Sequence, residues 1–107
     1  EAMKGLMQRI QMLSGSSLDE ANLIENIFSK NNPVIIINNL QSKSEIDEHM
    51  GFCNLLKGLC GMFRNTEAHA PKITWNVSEQ DALEILGMIS YCHRRLDKAQ
   101  KIRLIEN

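Results

Sequence analysis

Apolar residues recur along this chain at the three- and four-residue intervals of an α-helix, and the stretches that carry them are bounded by serine-led starts and by glycine, asparagine or proline stops. Met3, Leu6, Met7, Ile10 and Leu13 form the first stripe over residues 2–13, which Ser14-Gly15-Ser16 stops. Ser17-Leu18-Asp19-Glu20 has the form of a capping box, the serine accepting from a backbone amide while Glu20 reaches back to the cap. A second helix through about Phe28 follows and ends at Asn31-Asn32-Pro33. Ser42 to Glu48 starts a third helix, where Ser44-Glu45-Ile46-Asp47 sets acidic charge at the positive end of the helix dipole. Ser78-Glu79-Gln80-Asp81 repeats the signature, and Ala82, Ile85, Leu86, Ile89, Cys92 and Leu96 then give the clearest amphipathic stripe in the chain. Only 5% of residues are aromatic, so the core must be built from Leu, Ile and Met, which suits helices better than a sandwich of strands. The expected class is mainly α, a helical bundle with one short two-stranded β element. Val34-Ile35-Ile36-Ile37 is one candidate strand, and Ile73-Thr74-Trp75-Asn76-Val77, which alternates, is its candidate partner.

A chain of 107 residues fits one core, so residues 1–107 are read as a single domain. It opens Glu-Ala-Met already in helical rhythm, without a signal-peptide layout, and reads as the C-terminal domain of a longer protein. The run 34–37 is far too short to span a bilayer, so no membrane partner is expected. Net charge is −1, which excludes a broadly basic nucleic-acid-binding surface and confines any such role to a local patch or an active site. Cys53, Cys60 and Cys92 are odd in number and form no CxxC, which argues against a disulfide framework and for a reducing, cytoplasmic setting. Cys53 and Cys60 lie seven residues apart, near one helix face with His49, but no further ligand pair is evident. They read better as small buried hydrophobes, and no metal or cofactor is expected.

Gly51, Gly58 and Gly61 interrupt the third helix, each costing about 1 kcal/mol of helix propensity against alanine. Close approach of a neighbouring helix, from this domain or from a second subunit, is the expected compensation. Phe63 closes that helix, and Arg64-Asn65-Thr66-Glu67-Ala68-His69 follows before the chain leaves through Ala70-Pro71. Arg64 offers a fork of donors that suits phosphate oxygens, His69 titrates near neutrality, and Asn65 can orient a ribose hydroxyl or a water. Together they supply what RNA cleavage without a metal requires: a group that moves the proton, and a cation for the charge that builds on phosphorus. On spacing alone, Arg64 capping a helix end and His69 fixing a loop is the better account of the pair.

The residues around the motif add to this. Gly51-Phe52 through Gly61-Met62-Phe63-Arg64-Asn65, then Ala68-His69, Asp81-Ala82-Leu83 and His93-Arg94-Arg95-Leu96-Asp97-Lys98-Ala99, in that order, resemble the phage-associated Ymh family of hypothetical proteins, of the HEPN superfamily. The resemblance runs from about Asp19 to Ala99. It implies a helical bundle that forms a homodimer, so that two copies of an Arg–polar…His motif face one cleft. It also implies a metal-independent endoribonuclease acting on RNA in phage defence, as an abortive-infection protein or as the toxin of a toxin–antitoxin pair. Arg64 would then bind phosphate, His69 would act as acid or base, and Asn65 would assist; an antitoxin or an N-terminal partner domain is the expected companion. Thr66 stands where relatives often have proline, which leaves the local backbone less constrained. Relatives that have lost activity serve as dimerisation or nucleotide- and nucleic-acid-binding modules, and that reading stays open.

His93, Arg94 and Arg95 are the candidate RNA-approach surface. Lys98, Lys101 and Arg103 are read as solvated residues that complement the helix dipole. Asp97 is placed to damp the patch. Trp75 is read as a packing residue and Glu67 as an exposed one.

Overall fold

The computed structural model describes residues 2–16, 20–68 and 78–104, with side chains at 20, 21 and 63–68 left aside. The described elements run α1 (Ala2–Ser14), α2 (Glu20–Ile27), β1 (Ile35–Ile36), α3 (Lys43–Ala68), α4 (Glu79–Asp97) and β2 (Gln100–Lys101). The fold is mainly α with a short antiparallel β pair, as the periodicity predicts.

Each helix boundary has a local cause. At the end of α1 Gly15 adopts φ +79°, a left-handed conformation natural only to glycine, and its N–H donates to the Gln11 carbonyl at 2.9 Å. The proposed cap of α2 at Ser17 lies outside the described residues. α3 begins with a reciprocal capping box. Ser42 Oγ accepts from the Glu45 amide at 3.1 Å, and Glu45 Oε1 accepts from the Ser42 amide at 3.1 Å. The cap is thus Ser42 rather than Ser44, because both satisfy a serine-led pattern but only Ser42 has a glutamate three residues on. α4 is capped by Ser78, extended at φ −65°, ψ 159°, whose hydroxyl accepts from the Asp81 amide at 3.0 Å.

α2 packs most extensively on α3, and α1 packs most extensively on α4. Their apolar faces meet in one core containing Leu6, Ile10, Leu23, Ile24, Ile27, Phe28, Leu56, Cys92 and Leu96. Phe28 sits at the centre, edge-on to Phe52 with ring centroids 5.7 Å apart. At 26 residues α3 is about 39 Å long, which accounts for most of the 45 Å long dimension. Among the described residues, no helix is long and apolar enough to cross a membrane.

The partner of β1 is a segment the sequence leaves unread. Ile35 faces Lys101 and Ile36 faces Gln100 in an antiparallel pair. The pairing extends through Ile102 N–H, which donates to the Val34 carbonyl at 2.7 Å. Residues 73–77, the expected partner, lie outside the described residues. The stripe on α4 is also cut short. Ile89, Cys92 and Leu96 are buried, Ala82 and Ile85 are half-buried, and Leu86 is half exposed, so the amino half of α4 stands clear of the described core.

No described helix of this chain closely approaches the α3 glycines. A Cβ built at Gly51, Gly58 or Gly61 meets no described atom within 4 Å. Their face points away from the described core of this chain.

Candidate functional site

The long helix α3 carries Arg64 and Asn65 in its last turns, with helical backbone through Ala68. Their side chains, and His69 altogether, lie outside the described residues, as do Ala70, Pro71 and Trp75. What is described is the approach to that end: the outer face of α3 and the carboxyl half of α4.

Between these helices lies an open groove of about 240 Å³ lined by Ile37, Phe52, Leu55, Gly51, Tyr91, Glu48 and Arg95. The absence of a side chain at Gly51 keeps one wall low. Arg95 Nη2 is 3.2 Å from Glu48 Oε2 across the groove. Glu48 Oε1 also accepts from Asn38 Nδ2 at 2.8 Å. Asn38 donates to the Glu45 carbonyl as well, and its Oδ1 accepts from the Leu40 amide at 2.9 Å. That last bond holds Leu40 at φ +54°, a left-handed conformation that leucine rarely adopts. Asn38 and Glu48 thus fix the loop before α3 and set the position of Arg95, a role that the sequence pattern did not single out. The only available signal was the loop composition Asn38-Asn39.

The three basic residues expected to meet RNA have different partners. Arg9 Nη1 donates to His93 Nδ1 at 3.0 Å and to the His93 carbonyl at 3.1 Å. Arg95 is tied to Glu48. Arg94 is exposed, its guanidinium 5.6 Å above the Tyr91 ring. Asp97 pairs with Arg9 of α1 at 2.6 Å rather than with a neighbour on its own helix. Arg103 donates to the Asn32 carbonyl at 2.8 Å and so serves the β1–β2 corner.

The possible metal cluster dissolves into the core. Cys53, Cys60 and Cys92 are buried, and burial pushes Cys92 up to about 11 and Cys53 above its ordinary value. His49 is 1% exposed and donates from Nε2 to the Phe28 carbonyl at 3.0 Å. Its Nδ1 is buried with no partner. Among the described residues no three His, Cys, Asp or Glu side chains gather as a metal site.

These features define a small helical domain with an open groove between its two longest helices and an Arg-Asn pair at the end of one of them. Residues 1–96 match a family described as a protein of unknown function, Hypoth_ymh, and the chain belongs to that Ymh family. No curated protein and no solved structure matches it.

Proposed function

We propose that this chain is a HEPN-type domain that cleaves RNA without a metal, acting as a cytoplasmic homodimer in phage defence. The observation that carries the reading is Arg64-Asn65 in the last turns of α3, the longest described helix, with His69 four residues on in the sequence of a Ymh-family chain. In this reading His69 moves the proton, either from the 2′-hydroxyl or to the departing 5′-oxygen. The 2′-oxygen forms a bond to phosphorus as the bond from phosphorus to the 5′-oxygen breaks, leaving a 2′,3′-cyclic phosphate and a 5′-hydroxyl, with no water consumed. Arg64 offsets the charge that grows on the phosphoryl oxygens, and Asn65 orients the ribose.

The outer face of α3 supports the homodimer. Gly51, Gly58 and Gly61 are open, and Met62 is 63% exposed beside them. Leu83 and Leu86 on α4 are 63% and 50% exposed. Apolar residues left out of the described core, next to glycines that admit a neighbouring backbone, suit a two-fold contact. An antitoxin or an N-terminal partner domain belongs to the same proposal.

The alternative is a non-catalytic dimerisation or nucleic-acid-binding module, and one observation favours its dimerisation form. His93 and Arg95 are committed to Arg9 and Glu48, which leaves Arg94 as the member of that trio free of such a pairing and reduces the basic surface for RNA. The two readings part in one experiment. Purified protein is incubated with mixed RNA in EDTA beside Arg64→Ala and His69→Ala, and product ends are analysed for cyclic phosphate. Cleavage by the wild type alone supports the enzyme. RNA equally intact with all three proteins defeats it; retained RNA binding in that case selects the nucleic-acid-binding module, and its loss the dimerisation module.

A further inference from the structure

The groove between α3 and α4 gathers in about 240 Å³ the chemistry that recognises an unstacked nucleobase. Ile37, Phe52 and Leu55 give it an apolar lining, and Tyr91 adds an aromatic wall. The exposed Arg94 guanidinium lies 5.6 Å from the centroid of the Tyr91 ring, so a flat cation and a flat ring stand together on that side. Single-stranded bases are held by stacking on such planes and by hydrogen bonds to their polar edges.

Glu48 and Arg95 supply the polar partners for such an edge. Their pairing engages Arg95 Nη2 and Glu48 Oε2, and Glu48 Oε1 accepts from Asn38, which fixes the carboxylate. A guanidinium has five N–H donors and a carboxylate about four lone pairs, so both keep capacity for a ligand. Guanine matches that capacity. Its N1–H and 2-amino group donate side by side, as a carboxylate requires, and O6 beside them accepts from an arginine. Adenine, cytosine and uracil lack two adjacent donors. An apolar side chain of a protein partner would use the lining but strip water from the Glu48–Arg95 pair and return no hydrogen bond.

We propose that this groove is a guanine-binding subsite, in which Glu48 takes the N1–H and 2-amino edge, Arg95 holds O6 and Tyr91 stacks on the base. The inference rests on the RNA reading for its natural ligand, but it needs no cleavage. Gly51 precedes Arg64 by thirteen residues of the same helix, about 20 Å. The guanine bound here is therefore several nucleotides from the phosphate at Arg64, and Arg94 at the rim meets the phosphate beside that base.

The full chain is titrated with guanosine, adenosine, cytidine and uridine monophosphates and, separately, with inorganic phosphate, while NMR follows Leu55 and the Tyr91 ring. The guanosine nucleotide shifts both saturably and binds about tenfold more tightly than the other three, whereas phosphate alone leaves them in place. Glu48→Gln brings its affinity down to that of the adenosine nucleotide. Gly51→Leu enters open space, fills the groove and abolishes the shifts with every nucleotide, helical circular dichroism being unchanged. Equal affinity for all four nucleotides overturns the proposal, as do matching shifts from phosphate alone or undiminished binding in Gly51→Leu. Loss of self-association in Gly51→Leu, with no nucleotide shifts in the wild type, assigns the groove to a protein contact and overturns it too. Arg64→Ala and His69→Ala keep the guanosine nucleotide shifts. Cleavage without guanosine binding thus removes this subsite alone, and guanosine binding without cleavage removes only the enzyme.

Discussion

Replacing His49 by leucine separates two contributions that one side chain makes to stability. The imidazole is 1% exposed, donates to the Phe28 carbonyl at 3.0 Å, and buries a bare Nδ1 with no partner. In the variant the Phe28 carbonyl loses its donor, which costs about 1–3 kcal/mol for a buried group left unpaired. Removing the orphaned Nδ1 offsets part of this, so a net loss of about 1–2 kcal/mol is expected at pH 7.5. Acidification reverses the comparison. Burial holds the His49 pKa below its ordinary value of 6.5, with the Phe28 bond opposing in part. The unfolded chain therefore takes up a proton near 6.5 that the folded chain refuses. The stabilisation is complete above the unfolded value and is lost as pH falls from there toward the folded one. Within that window the wild type loses up to about 1.4 kcal/mol per pH unit that the leucine variant keeps. Urea unfolding followed by helical circular dichroism, at half-unit steps from pH 7.5 to 5.0, gives both curves. The gap between the two proteins should narrow steadily below pH 6.5. Parallel curves would falsify the account, since they would mean that position 49 titrates alike in folded and unfolded chains.

The other predictions concern the core, a cap and the open face. Cys53 and Cys92 are buried with thiols raised in pKa, so a charged disulfide reagent at pH 8 should leave them unmodified in the folded protein, and sub-denaturing urea should expose them as the chain opens. Ser78→Ala removes the acceptor for the Asp81 amide and should cost about 1 kcal/mol in urea unfolding, with Ser78→Asn restoring most of it. Gly58→Ala meets open space and gains helix propensity, so a dilute sample should be stabilised by about 0.5–1 kcal/mol. Gly58→Trp on that face should shift dimer toward monomer in sedimentation, and an unchanged equilibrium would remove the face from the dimer proposal.

Helices and caps were legible where the signal was local. The helix over residues 2–13 and the Ser78 cap are matters of spacing within one or two turns, and both stand where the pattern put them, with Met3, Leu6 and Ile10 buried and Leu13, at the end of the stripe, exposed. The start of α3 was legible only to within two residues, because Ser42 and Ser44 each present a serine-led acidic pattern and the glutamate at the right distance decides between them. The partner of β1 was not legible: Gln100 and Lys101 carry no strand propensity and pair through backbone groups alone. The glycines of α3 were legible only in part, for a related reason. A missing side chain signals room for a neighbour but not which neighbour, and the described part of this chain supplies none. At the candidate site the residue types Arg64, Asn65 and His69 were plain from the sequence. The ties of His93 to Arg9 and of Arg95 to Glu48 span tens of residues and needed the fold.

The seating of α1 on α4 has a consequence for the order in which the molecule is completed. α2 and α3 are neighbours along the chain and can close their interface as soon as α3 has left the ribosome. α1 is made before either, yet the helix it packs on most extensively, and both side-chain partners of Arg9, are made tens of residues later. Until α4 arrives, the apolar face of Met3, Leu6 and Ile10 lacks the helix that covers it most, and a slowly translated or truncated chain leaves that face open to whatever else is nearby.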